Sequence, residues 1–314
     1  MSKPSAAYSC LLDMKPKFVY QLWVWITMLL DEAGVAPSDV FVHIVPRPDP
    51  EPAVEEYLHA RGVAFRYVEP VGNGRFSNRI AQLETAFLRE RDYAVLCDTD
   101  LAILTGLDPW IGLGAICAKE VDYPNPTIDR LEALYRRAGF DGFPERKRCS
   151  FQDDETFVNN CNGGVWIVRT ALFDALLPCW KRWLAWVAQQ EDVLDRYIVH
   201  QTQISFSLAV WELGEEIVPL PKAANFPLHV EPERYDPHND VPLVLHYHDR
   251  IDPDGSIWDV GVPLIDRRIA AANERIARTP RPAVFEAALG AFLAQTPPDL
   301  TKRPQTRSLR TASL

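Results

Sequence analysis

Two aspartates one residue apart, Asp98–Thr99–Asp100, close the apolar run Tyr93–Cys97 and open another at Leu101. Alternate residues of an extended chain point the same way, so both carboxylates can address one cation, directly or through phosphates that it holds. Hard divalent cations prefer carboxylate oxygen and keep several waters when they grip a diphosphate. Such a cation stabilises the charge of a departing diphosphate as its bond breaks. A D-x-D at a strand end is also a common polar turn, and the surrounding chain must decide between the two.

The elements around the pair alternate. Ala7–Leu12 reads as a strand and Lys17–Ala33 as a helix. VFVHIV (Val40–Val45) is a second strand, ended by the segment Pro46–Pro52. Glu51–Arg61 is a short helix stopped by Gly62, and Ala64–Val68 a third strand. Val71–Phe76 is a turn-rich loop, a helix runs from Ser77 to about Glu90, and Tyr93–Cys97 is a fourth strand. Alternating strands and helices predict an α/β fold with a mostly parallel sheet flanked by helices. Open sheets of this kind bind ligands at the carboxyl ends of their strands, where Asp98 falls. Further on, the patterns predict helices at Leu131–Arg137, Leu172–Gln190, Val199–Trp211 and Ile265–Ala277. They predict strands at Val165–Val168 and Leu243–His246, and a polar loop over Phe143–Gln152. Residues 1–294 are expected to form a single domain. The Pro-, Thr- and Arg-containing stretch 295–314 reads as a disordered tail.

Composition narrows the class. At 314 residues and 47% hydrophobic, the chain can build a sizeable core. A net charge of −10 argues against nucleic acid as the main partner. The six cysteines form no C-x-x-C pair and lack zinc-site spacing. With no signal peptide visible, they read as buried thiols of a cytoplasmic protein. The longest apolar run, Phe18–Leu30, is interrupted by Gln21 and Thr27. It is shorter than the roughly 20 residues that a transmembrane segment needs. Trp23, Trp25, Trp180, Trp183 and Trp186 have helical spacing and belong to the core rather than to a sugar-stacking surface.

Five stretches in this order, SNRIAQLETAF, YAVLCDTDLAIL, NNCNGGVWIV, QTQISFSLA and LVLHYH, resemble the GT-A (Rossmann-like) glycosyltransferases. The C-terminal half is most similar to glycosyltransferase family 8, and the resemblance spans roughly Tyr8 to Ile276. It implies roles. Asp98 stands near the ribose and metal, with Thr99 between it and Asp100, a direct metal ligand. His246 is the third protein ligand, with His248, of the same strand-face parity, as the alternative. An imidazole beside two carboxylates suits Mn²⁺ better than Mg²⁺. Arg79, assisted by Asn78, faces the donor sugar and phosphate. Asn162–Gly163–Gly164 resembles the family's Asn-small-Gly turn: the glycines let the backbone approach a ligand closely, and Asn162 offers its amide to the sugar. Gln203 lies where the family's glutamine sits beside the anomeric carbon. The preceding residue is Thr202, where the family has aspartate, which leaves the stereochemical course open. For inversion, Asp153, Asp154 or Glu155 is the candidate general base. Arg250 stands in for a lysine that holds the diphosphate.

The implied activity is transfer of a hexosyl unit from a nucleoside-diphosphate sugar, UDP-linked, with Mn²⁺ or Mg²⁺. Three other readings compete. A silent sugar-nucleotide or carbohydrate-binding protein would share the site. A haloacid-dehalogenase-like phosphatase also carries D-x-D after a strand, and QDDET resembles its distal acidic pair. It prefers Thr or Val where this chain has Ala102, however, and places the motif near the start of the fold. A sugar nucleotidyltransferase needs a glycine-rich basic loop after the first strand. Here that position reads Asp13–Met14–Lys15–Pro16.

Overall fold

A computed structural model describes residues 3–46, 51–72, 74 and 77–295. Parts of the segments 46–52 and 71–76 and the expected tail beyond Gln295 lie outside the described residues. The first half alternates as β1 (Ala6–Asp13), α1 (Pro16–Thr27), β2 (Val40–Val45), α2 (Pro52–Ala60), β3 (Ala64–Tyr67), α3 (Ala86–Arg89) and β4 (Tyr93–Cys97). After the aspartates come β5 (Leu101–Ile103), β6 (Ile116–Glu120) and α4 (Ile128–Arg137). A hairpin of β7 (Arg146–Arg148) and β8 (Glu155–Phe157) leads to the long β9 (Cys161–Arg169). Then follow α5 (Phe173–Val187), α6 (Glu191–Leu194), α7 (Gln201–Glu212), β10 (Ile217–Pro219), β11 (Phe226–Pro227), β12 (Val244–His246), α8 (Pro263–Arg278) and α9 (Ala283–Gln295).

The main sheet has the order β10-β6-β9-β4-β1-β2-β3. Only β9 runs against the rest, so the sheet is mostly parallel, as expected. Both of its faces are covered, and this is why β2 and β4 are buried throughout and, His43 apart, apolar. The period of two divides the core. Tyr93, Val95 and Cys97 join the cluster that contains α1 and α9, while Ala94 and Leu96 join the one built on α4, α5 and α7. Trp23, Trp25 and Trp180 are fully buried and Trp183 nearly so, which places them in the core, whereas Trp186 is only partly buried against it. All six cysteines are free and buried. Among the described residues no helix is long and apolar enough to cross a membrane.

Several elements differ from expectation. The helix predicted from Lys17 to Ala33 starts at Pro16, and its last turn, Met28–Glu32, widens to a π-helix. The helix predicted over Ser77–Glu90 is a 3-10 segment, Asn78–Glu84, followed by the short α3. Thr85 breaks it, extended at φ −87° and ψ 124°, with its hydroxyl bonded to buried His43. The short strands β5, β6, β7, β8, β10 and β11 escape a periodicity search because few of their residues repeat. Helix α9 was also unexpected; Phe285, Leu289 and Phe292 bury its inner face.

His43, in β2, is 0% exposed and lies between Ser9 Oγ at 3.0 Å and Thr85 Oγ1. Burial first, and Arg66 second, hold its imidazole down to about 3. The unfolded chain takes up this proton below about pH 6.5 and the folded chain does not. Stability from this group is therefore full above about pH 6.5 and drains away as pH falls toward 3. The expected loss by pH 5 is about 2 kcal/mol. Urea unfolding at pH 7 and pH 5 checks this, with a shallower pH slope for His43→Gln.

Candidate functional site

Strand β4 delivers Asp98 to its carboxyl end, where the Asp98 N–H donates to the Gly164 carbonyl at 3.0 Å. The chain then leaves the main sheet. Strand β5 pairs antiparallel with β12 in a register that sets His246 opposite Leu101, and the Tyr247 N–H donates to the Asp100 carbonyl at 3.1 Å. This pairing brings His246 Nε2 to 3.3 Å from Asp100 Oδ1. His248 follows with its ring stacked on that of His246, centroids 3.9 Å apart and planes 9° from parallel. Ligand-capable atoms of Asp100, His246 and His248 all lie within 4.8 Å of one another. Gln21, a polar residue in otherwise apolar α1, braces the assembly from behind. Its amide donates to the His248 carbonyl and its oxygen meets Thr99 Oγ1 at 3.5 Å.

The electrostatics favour a cation. Burial pushes the Asp100 carboxyl up, but His246, with help from His248 and Lys17, more than offsets this and holds it below the usual carboxylate range. Burial pulls the His246 imidazole down, and Asp100 reverses that to leave it raised. His248 is held well below 6.5, mainly by burial. Asp100 Oδ1 is buried and, beyond the 3.3 Å ion-pair contact with His246 Nε2, makes no hydrogen bond, so it is a place where a positive charge is favoured. His246 Nδ1 lies 3.0 Å from Asn225 Oδ1. The Asn225 amide nitrogen is spent on Asn162 Oδ1 at 3.0 Å, so the network assigns the proton to Nδ1 and leaves Nε2 facing Asp100. Asn162 in turn donates to Asp122 Oδ2 at 2.8 Å, and Asp122 pairs with fully buried Lys119.

A cavity of about 230 Å³ collects Asp98, Asp100, Asn162, Gly163, Gln203, His246 and His248, together with Asp122, Tyr123, His200 and His229. Asp98 lies beside the metal-competent cluster rather than in it. Its side chain is 43% exposed, with Oδ1 3.3 Å from Arg79 Nη1. Arg79 is buried over the Trp166 ring at 4.4 Å and donates to the carbonyls of Gly163 and, at 2.7 Å, Leu96. It clamps β4 to the glycine pair, which lies within the start of β9 rather than in a turn. The two glycines make room for side chains. A Cβ on Gly163 would stand 2.9 Å from Gln203 Nε2, and one on Gly164 would stand 2.7 Å from His246 Nδ1.

Other sequence candidates lie elsewhere. Asn78 pins its own loop, accepting from the Val71 N–H at 2.8 Å and donating to the Gly74 carbonyl. Arg250 donates to the His229 carbonyl at 3.3 Å and stands outside the cavity lining. Asp153 and Asp154 are exposed on the β7–β8 turn, bonded to Arg148 and Gln152, and neither lines the cavity. QDDET therefore sits apart from the Asp98–Asp100 pair. Asp122, Lys119, Asn225, His229 and Trp166 were missed in the sequence. Asp122 lies just past the carboxyl end of β6, a parallel strand, as Asp98 lies past β4, but β6 itself escaped the sequence pattern and hid this signal.

No protein-family model matches the chain, and no curated protein matches it. Solved structures do. The glycosyltransferase GlyE of Streptococcus pneumoniae TIGR4 superposes with a TM-score of 0.52 at 12% identity, covering 92% of this chain and 64% of its own. The bifunctional glycosyltransferase WbbM gives 0.54 at 13%, covering 92% and 52%. The galactosyltransferase LgtC, solved with donor and acceptor sugar analogs, gives 0.50 at 17%, covering 89% and 99%. The chain has a GT-A fold. It thus spans about two thirds of the GlyE chain and half of the WbbM chain, and nearly all of LgtC.

The β9 glycines yield a prediction. Gly164→Ala places a methyl 2.6 Å from Asn225 Oδ1 and 2.7 Å from His246 Nδ1. The expected cost is about 1–3 kcal/mol, with His246 pushed from its place. Thermal unfolding measures the first effect and the imidazole NMR resonances the second.

Proposed function

We propose that this protein is a metal-dependent glycosyltransferase that takes a hexosyl unit from a nucleoside-diphosphate sugar, UDP-linked, to an acceptor. The observation that carries the reading is the Asp100–His246–His248 cluster, which opens with Asp98 into a polar cavity at the strand ends of a GT-A fold. Asp100 Oδ1 and His246 Nε2, which face each other at 3.3 Å, form a donor set that fits a divalent ion. When bound, that ion neutralises the diphosphate and stabilises its departure.

The chain's own residues do the rest. Asp98, tied to Arg79 and to the Gly164 carbonyl, is fixed to receive the ribose side of the donor. Asn162 and Gln203 present amides toward the sugar. Asp122, held between Lys119 and Asn162, adds a buried carboxylate to the same wall and can accept from sugar hydroxyls. Arg79 acts through position, because its two terminal nitrogens are already engaged with the Gly163 and Leu96 carbonyls. Asp98, Asp122, Asn162 and Gln203 line the same small cavity, so a sugar bound there meets all four.

UDP binding should depend on metal. Calorimetry is expected to show UDP affinity with Mn²⁺ that disappears in EDTA; equal affinity in both would sink the metal-held diphosphate. Asp100→Ala should keep the fold and lower transfer, or slow donor hydrolysis, by roughly a hundredfold or more. Nucleotide sugars incubated with Mn²⁺ and scored for hydrolysis supply that assay without an acceptor.

A further inference from the structure

Four of the chain's seven histidines, His200, His229, His246 and His248, line the candidate site. A site built only to hold a hard ion needs oxygen and no such concentration of imidazole. Within this group His248 stands out by its backbone. Its φ is +56°, one of two positive values at non-glycine residues in the described chain. A glycine would adopt this conformation without cost. Strained residues of this kind persist where the side chain is needed, and they cluster at functional sites. The strain is held from two sides: Gln21 donates to the His248 carbonyl, and His248 Nδ1 donates to the His246 carbonyl at 3.2 Å.

That second bond also sets the imidazole. A carbonyl can only accept, so Nδ1 carries the proton and Nε2 keeps its lone pair. His246 is arranged the same way, with Nδ1 on Asn225 Oδ1. Both rings therefore show the pattern of metal-ligating histidines, in which one nitrogen donates to a fixed acceptor and the other is left for the ion. His229 packs its ring against His248 at 4.5 Å and 83°, which limits where the His248 ring can go.

We infer that His248 is a second imidazole ligand beside Asp100 and His246, and that it makes the site select a borderline first-row ion such as Co²⁺ over hard Mg²⁺. The inference rests on the metal site of the proposed transferase, but its test needs neither donor nor acceptor. Mixed imidazole and carboxylate sets favour the later first-row ions, whereas Mg²⁺ demands an oxygen octahedron. His248 thus governs which ion is held, and Asp100 with His246 governs whether one is held.

The test uses the full chain stripped of metal and titrated with Co²⁺ or Mg²⁺ alone, by calorimetry and by the visible absorption of bound Co²⁺. His248→Gly and His248→Asn both suit the left-handed backbone, so the thermal midpoint is expected to hold. Each should lower Co²⁺ affinity by roughly tenfold or more, change the Co²⁺ spectrum, and leave Mg²⁺ affinity within about twofold. An unchanged Co²⁺ affinity and spectrum in both variants overturns the inference, as does an equal loss for both ions. If Co²⁺ binding depends on His248 while UDP binds with no metal at all, the inference stands and the transferase reading falls.

Discussion

The pairing of β5 with β12 is the constraint on which the site depends. Asp100 and His246 are 146 positions apart in the chain, and nothing in either segment alone directs one toward the other. The antiparallel register, Leu101 opposite His246, makes them neighbours. The Tyr247 to Asp100 backbone bond then closes the ladder at the point where both side chains turn into the cavity. A slip of one residue would turn His246 to the opposite face of this small sheet. The fold protects the register with burial: Leu101, Ala102, Ile103, Val244 and Leu245 are all fully buried.

Around this pair, polar groups are held by one another rather than by solvent. Lys119, Asp122, Asn162, Asn225, His246 and Asp100 form one chain of contacts from a buried cation to the metal-competent carboxylate. Each link orients the next, and hydrogen bonds in a buried chain of this kind reinforce one another. The glycines belong to the same device. Gly163 and Gly164 are small so that Gln203, Asn225 and His246 can close on the start of β9. Arg79 likewise braces this segment through two carbonyls and the Trp166 ring, and Trp166 returns a hydrogen bond to the Asn162 carbonyl at 2.9 Å.

Much of the parallel half of the sheet was legible, because β1, β2 and β4 are apolar runs separated by helices of clear period. The location of the site was legible for the same reason: Asp98 ends a strand, and strand ends in such sheets collect ligands. The short strands were not, since β5, β10 and β11 have two or three residues each and gain their identity from pairing. The 3-10 form of Asn78–Glu84 was not legible either. Its sequence has ordinary helix formers, and the need to reach Ser9 with Gln82 and Gly163 with Arg79 decides its path. Asp153 and Asp154 show the converse. Their residue type fitted the chemistry, and the β7–β8 turn carries them into solvent.

The sequence by itself determined the fold class and the place of the aspartate pair, because burial on both faces of a parallel sheet writes long apolar strands into the chain. It also marked His246 and His248, Asn162 and Gln203 as residues of the right kind. The tertiary structure decided which carboxylate joins the imidazoles. Asp98 and Asp100 are equivalent in a strand-end motif, but Asp100 adjoins the strand that pairs with β12, and Asp98 adjoins the β9 glycines and Arg79. That difference arises from contacts between segments far apart in the chain, and local periodicity carries no record of them.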